Sequence, residues 1–209
     1  MPLVFPSRHP IVLEKLTELR DRSTRPPRFR ALVRELSWLL AYEALSGVGV
    51  VERSVETPMA SATGHALAER VGLAPILRAG IGMAEAVSEL LPSAPVWHLG
   101  MYRDEQTLEP VAYYNRLPAT PPVDRVLVLD PMLATGGSAL AAITTLKRWG
   151  VPHITFTGLI AAPEGVRALT DAFPEVPLYI GAIDDRLNER GFIVPGLGDA
   201  GDRQFGTSE

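Results

Sequence analysis

The stretch Val126 to Ile143, VLVLDPMLATGGSALAAI, constrains the fold of this chain more than any other. Consecutive apolar residues from Val126 to Leu129 read as a buried strand ending in Asp130, and Thr135, Gly136, Gly137 and Ser138 then open a helix. A strand that passes through a glycine turn into a helix is the building unit of parallel α/β structure. The same turn suits an anion. Its glycines let the backbone approach closely with its amides turned inward, the helix N-terminus adds partial positive charge, and the Thr and Ser hydroxyls donate further hydrogen bonds. A monoester phosphate would be held there without a lysine. Asp130, at the carboxyl end of its strand, lies where ligands of open α/β sheets bind, and its carboxylate could accept two hydroxyls of a ribose. The plain alternative is that TGG is only a tight turn and Asp130 only a polar strand end. A P-loop is excluded, because the lysine of GxxxxGK[ST] is missing.

The rest of the chain agrees with that unit. Its 209 residues suffice for a substantial apolar core and approximate one large domain with appendages. Short apolar runs, APILRAG, APVWHLGMY, VDRVLVLD, HITFTGLIAA and VPLYIGAI, alternate with the helical patterns GMAEAVSELL, SALAAITTLKRWG and PEGVRALTDAF. That alternation predicts a parallel sheet with crossover helices. The first fifty residues read as helices broken between Ser23 and Pro27, with one apolar stripe at Ile11, Leu13, Leu16 and Leu19 and another at Leu32, Leu36, Leu39 and Leu40. The segment from Asp184 onward, rich in glycine and acid, reads as too irregular for regular structure, and long irregular segments of compact domains are usually functional.

Composition removes several classes of chemistry. The absence of cysteine excludes disulfides, thiolate metal sites and a cysteine nucleophile. His9, His65, His98 and His153 lie far apart without ligand spacing and read as capping or packed residues. A net charge of −4 argues against broad binding to nucleic acid or an anionic membrane. With no apolar run of about eighteen residues and no signal-peptide pattern behind the N-terminal MPLVFPSRHP, the expected location is the cytoplasm.

Two further constellations bear on the ligand. In ILRAGIGM, Ile76 to Met83, a strand ends in Arg78 and enters a glycine turn before a helix. Arginine beside exposed turn amides is a suitable trap for pyrophosphate, and the alternative is an ordinary strand-to-helix turn. A dinucleotide fingerprint fits less well, since its third glycine would fall at Glu85. In MYRDEQTLEPVAYYNRLP, Met101 to Pro118, polar residues between two β-prone pieces predict a long hairpin or lid, with Val111, Tyr113 and Tyr114 as possible subunit contacts.

The strand, acid and TGG[ST] turn resemble the motif with which type I phosphoribosyltransferases bind 5-phosphoribosyl-1-pyrophosphate (PRPP). Where the generic motif carries two adjacent acids, this chain has Asp130 followed by Pro131, and the DPMLATGGS form is similar to the uracil phosphoribosyltransferase branch. ILRAGIGM resembles that family's pyrophosphate loop, and YIGAIDDRLNERGFIVPGLGDAGDR resembles its uracil-binding hood. The resemblance implies an α/β fold of type I phosphoribosyltransferase kind, with a parallel-sheet core, N-terminal helices, a β-hairpin arm and a small C-terminal hood. It divides the single domain into a helical part over 1–70, a PRPP-binding core over 71–178 with the arm near 101–118, and a hood over 179–209. It further implies transfer of a phosphoribosyl group from PRPP to uracil, giving UMP and pyrophosphate. The implied PRPP ligands are Arg78, Arg103, Asp130, Pro131, Met132, Leu133, Ala134, Thr135, Gly136, Gly137, Ser138 and Asp199. By the same resemblance Ile193, Gly198, Asp199 and Ala200 are expected around uracil, with Asp130 and Asp199 closest to the chemistry. Magnesium arrives on PRPP, without protein side chains as its ligands, and a homodimer or higher homo-oligomer is expected. For Arg103 the alternative is a solvated edge charge, while Arg186 and Asp202 read as internal salt-bridge partners.

One basic span stands apart. RDRSTRPPRFRALVR carries Arg20, Arg22, Arg25, Arg28, Arg30 and Arg34. It reads either as a solvated helix end or as an effector-phosphate site for a nucleotide such as GTP. The same span is the one feature favouring a rival reading, a nucleic-acid-binding regulator on the same fold, and hypoxanthine is the runner-up base.

Overall fold

The computed structural model describes residues 3–103, 110–114 and 117–207, with the side chains of 101–103 and 110–114 outside that description. In chain order its elements are β1 (Val4–Pro6), α1 (Pro10–Arg20), α2 (Pro26–Leu45), β2 (Val50–Glu56), β3 (Ser61–Leu67), β4 (Val71–Leu77), α3 (Ile81–Leu90), β5 (Leu99–Arg103) and β6 (Pro110–Tyr114). They continue with β7 (Arg125–Leu129), β8 (Met132–Leu133), α4 (Gly137–Trp149), β9 (His153–Ala161), α5 (Pro163–Ala172), β10 (Leu178–Ile183), β11 (Arg186–Leu187), β12 (Ile193–Val194) and α6 (Ala200–Phe205). Proline opens α1, α2 and α5, where its missing amide costs nothing, and the His9 ring accepts the Ile11 amide to cap α1.

The central sheet runs β1-β10-β9-β7-β4-β5-β6, with β8 added along β9, and every pairing is parallel except β5 with β6. Alternation along β7 divides the core into two layers. Leu127 and Leu129 face α1, α2 and α3, whereas Val126 and Val128 face α4 and α5. A sheet covered on both faces is therefore dry on both faces, which explains its continuous apolar strands.

The crossovers part between β4 and β7. From β4 the chain passes through α3 on one face to β5, and from β7 it passes through α4 on the other face to β9. The two connections leave neighbouring strand ends in opposite directions and open a crevice between them, the place where open α/β sheets take their ligands. Arg78 follows β4 and Asp130 follows β7 at that point.

The N-terminal part expected to be helical over 1–70 also contains β1 and the hairpin β2–β3. Val50, Val51, Val55 and Thr63 favour extended backbone, and Thr57 closes the hairpin by exchanging bonds with Ala60. The C-terminal segment expected to be irregular holds the short pair β11–β12 and then α6, capped by the Asp199 side chain. The hairpin expected near 101–118 is present as the antiparallel pair β5–β6. Among the described residues, no helix is long and apolar enough to cross a membrane.

Candidate functional site

The turn after β7 is held from below by strand hydrogen bonds. The Pro131 carbonyl accepts the amides of both Leu159 and Ile160 at 3.1 Å, β8 then pairs with β9, and the Leu133 carbonyl accepts the Ala162 amide at 2.9 Å. Gly136 ends this path in the left-handed region at φ 87 and caps α4, a conformation that favours glycine. Asp130, Met132, Leu133, Ala134, Thr135, Gly136, Gly137 and Ser138 together line a concavity of about 60 Å³. The first turn of α5 packs under it. A side chain on Gly165 would start 2.4 Å from the Ala134 carbonyl, so this glycine lets the helix support the loop.

Asp130 is half-buried at the floor of the crevice. Burial pushes its carboxyl up to about 7, opposed by the Met132 amide, which donates to Oδ1 at 3.3 Å. Its carboxylate forms no ion pair among the described residues, so it has acceptor capacity for further hydroxyl donors.

Arg78 stands beside it on the turn after β4. Its side chain is 61% exposed and makes a loose 3.5 Å contact with Asp202. The turn abuts the neighbouring strand, since a Cβ on Gly80 would lie 2.4 Å from the Leu129 carbonyl. Arg78, Ala79, Met132, Asp199, Ala200 and Gly201 enclose a second cavity of about 230 Å³, and Met132 is its shared wall with the first. A side chain on Gly201 would meet Asp199 Oδ1 at 3.2 Å and Arg78 Nη2 at 3.9 Å, so these two charged groups flank it.

The structure thus brings Arg78, Asp130, Met132–Ser138, Asp199 and Ala200 into two adjoining cavities, while Pro131 is buried beneath the loop and lines neither. Ile193 and Gly198 line neither of them. Ile193 is buried in the core formed with α1–α3, leaving its backbone as the available surface, and Gly198 lines a separate cavity behind the hood. Arg103 ends β5 by its backbone, and its side chain falls outside the described residues, as do those of Val111, Tyr113 and Tyr114. Asp202 does pair, with Arg78, but Arg186 is exposed and makes no ion pair among the described residues. It sits in the short β11, where its backbone rather than its charge is used.

The basic span is largely committed to internal contacts. Arg20 pairs with Asp184, Arg28 with Glu18 and Glu35, and Arg34 with Glu89, while Arg30 donates to the Gln204 carbonyl at 2.8 Å. Arg22 and Arg25 form no ion pair among the described residues. They line the cavity of about 490 Å³ behind Gly198.

Residue-type reasoning missed Gln204, Gly165 and Asp184. Gln204 is 1% exposed and donates from Nε2 to the Ala79 carbonyl at 2.9 Å, tying α6 to the Arg78 turn. A polar residue on an otherwise featureless short helix carries no local signal, and its partner lies over a hundred residues away.

Comparison with known proteins accords with this geometry. Residues 6–207 match the family model described as uracil phosphoribosyltransferase. A uracil phosphoribosyltransferase of Roseiflexus castenholzii is 60% identical over 99% of this chain and 100% of its own. That of Geobacillus kaustophilus is 50% identical over the same shares. Among solved structures, the AQ2163 protein of Aquifex aeolicus superposes with a TM-score of 0.93 at 37% identity, covering 98% of this chain and 99% of that one. With a strand-turn-helix cradle, an arginine turn beside it and a full-length match of this kind, the chain belongs to the uracil phosphoribosyltransferase family.

Proposed function

We propose that this chain is a cytoplasmic pyrimidine-salvage enzyme that transfers the phosphoribosyl group of PRPP to uracil, forming UMP and pyrophosphate. The observation that carries this reading is the convergence of Arg78, Asp130, the Thr135–Ser138 turn and Asp199 on one crevice at the parting of the crossovers. The turn amides and hydroxyls from Thr135 to Ser138 take the 5′-phosphate, with Met132, Leu133 and Ala134 as its inner wall and Pro131 beneath them. Asp130 accepts the ribose hydroxyls. Arg78, with Arg103 from the arm, takes the pyrophosphate.

In the transfer, the bond from the anomeric carbon to pyrophosphate oxygen breaks as the bond to the uracil ring nitrogen forms, the bonding pair leaves with pyrophosphate, and the proton of that nitrogen passes to solvent. Because the carbon passes through a cation-like state, positioning and charge stabilisation suffice and no covalent protein nucleophile is required. Asp199 Oδ1 is taken up in capping α6, where it accepts the Asp202 amide at 2.8 Å, so its second oxygen is the one available to the base. The carboxylates that border the crevice are hard oxygen donors of the type magnesium accepts, and among the described residues no three acids or histidines cluster to hold a metal alone. Magnesium arriving with PRPP would offset charge on the leaving pyrophosphate.

Two finer expectations belong to this reading. Among the described residues the hairpin β2–β3 pairs with no other strand, and it exposes Val50, Val51 and Met59, which supports a homodimer or higher homo-oligomer in which it meets a second subunit. Arg22 and Arg25, lining the cavity behind the hood, support a nucleotide effector such as GTP. Incubating the protein with PRPP, magnesium and a panel of bases tests the main reading: UMP forms if it is correct, and failure to consume uracil while another base is converted overturns it.

A further inference from the structure

One ion pair, with Asp184 buried and Arg20 partly exposed, holds both polar groups of a single peptide residue in the hood. Arg20, at the end of α1, donates from Nη1 to Asp184 Oδ2 at 2.7 Å and from Nη2 to Oδ1 at 2.5 Å. The same Nη1 reaches the Gly196 carbonyl at 2.8 Å, and the Gly196 amide donates back to Asp184 Oδ2 at 2.8 Å. Asp184 is 7% exposed and follows β10, where its amide donates to the Ala161 carbonyl at 2.8 Å. The ring of bonds thus ties the hood to the sheet on one side and to α1 on the other.

What is held is a segment whose backbone admits few alternatives. Gly196 lies at φ 68, and a Cβ there would stand 2.1 Å from the Ile193 carbonyl. The next carbonyl, that of Leu197, accepts a bond from Arg203 at 2.8 Å, and Arg203 also donates to the Leu19 carbonyl at 2.9 Å and stacks on Phe29. Two successive carbonyls between Ile193 and Gly198 are therefore turned toward guanidinium groups. In the reading that places uracil under the hood, the backbone flanking these carbonyls is what meets the base, and the two guanidinium groups set its orientation.

A buried ion pair is a poor device for stability, because desolvation offsets much of its attraction, but a bidentate pair fixes geometry well. We propose that Arg20 and Asp184 are positioning residues for the base, holding Gly196 so that the flanking hood backbone meets uracil in one orientation. The proposal rests on the reading that uracil binds under the hood. It predicts that damage to the pair is felt in recognition of the base and not in recognition of PRPP, whose loop rests on β9 and α5 instead.

Steady-state kinetics of the full chain test this, since KM does not depend on the fraction of enzyme that is folded. Arg20→Lys keeps the charge beside Asp184 but cannot hold two carboxylate oxygens and a carbonyl in one planar fork. In this variant and in Asp184→Asn, KM for uracil should rise by about tenfold or more while KM for PRPP changes by less than about threefold. A double replacement, Arg20→Met with Asp184→Leu, removes the buried charges together and keeps the fold falsifiable separately; its KM for uracil should also rise. An unshifted KM for uracil in folded variants, or equal rises for both substrates, overturns the clamp. A wild-type protein that binds PRPP but never turns over uracil would instead remove the reading on which the clamp rests.

Discussion

In the proposed reading the phosphate loop and the hood solve the same problem, holding backbone groups toward a ligand, by opposite means. Asp130 to Ser138 are consecutive residues carried by β8, shaped by the left-handed Gly136 and supported by Gly165. The hood around Gly196 is shaped by side chains of other elements: Arg20 from α1, 176 positions away in sequence, together with Asp184 after β10 and Arg203 from α6. A local cradle depends on steric fit at a few glycines. A remotely pinned one depends on bonds that a single distant substitution can release, so the two should fail differently.

The largest expected effect lies between ligands of the hood. Uracil presents an acceptor at C4 and a donor at N3 where cytosine presents the reverse, so a site built on backbone hydrogen bonds leaves two groups unpaired with the wrong base. Cytosine, hypoxanthine and adenine should be at least about a thousandfold poorer than uracil in kcat/KM, about 4 kcal/mol in the transition state. Initial rates at one PRPP and magnesium concentration measure this, and comparable turnover of cytosine would dissolve the division of labour between the two regions.

Next comes Gly165→Val, which places a Cβ 2.4 Å from the Ala134 carbonyl and forces the phosphate loop off its support. PRPP affinity by calorimetric titration should fall by about a hundredfold, an effect of the size that small misplacements produce. Retained affinity would show that α5 does not shape the loop.

Asp130→Asn should lower activity by about tenfold, through weaker hydrogen bonds to the ribose hydroxyls. It also carries a pH signature. With the wild-type carboxyl raised from 3.8 to about 7, the free protein holds it neutral below that range and ionised above it. The wild-type kcat/KM for PRPP should therefore decline as pH falls through about 7, and the Asn variant should lack that limb.

Stability should move the other way, and this is the smallest effect. A carboxyl whose pKa is raised on folding contributes stability that is fully present below its unfolded value, and that is lost as pH rises through about 7. Asp130→Asn should then melt about 3 °C above the wild type near pH 8, with the gap closing toward pH 4. A variant that melts lower at both pH values would mean that Asp130 supports the fold and does not strain it.

The contrast also explains what was legible in the sequence. The phosphate loop could be read because strand, acid, glycines and helix are contiguous, and the parallel sheet because apolar runs alternate with helical ones. The hairpin β2–β3 escaped notice because most of its side chains are exposed, which removes the inside-outside alternation that marks a strand. Within the basic span, charge alone could not separate Arg20 and Arg30, which bond to the C-terminal segment, from Arg22 and Arg25, which form no ion pair among the described residues. Their partners Asp184 and Gln204 lie more than 160 residues downstream, a separation at which spacing carries no information.

The close approach of Gly80 to the Leu129 carbonyl has a metrical consequence. With no room for a Cβ between them, the Arg78 turn and the start of the Asp130 loop cannot slide past one another, and both are anchored to adjacent strands paired in fixed register. In the proposed reading these are the two grips on PRPP, one at each end of the sugar. Their spacing is therefore a caliper set by the sheet, not by the ligand. A ribose phosphate lacking the pyrophosphate spans only one jaw, while PRPP spans both, so length itself becomes part of what the crevice measures.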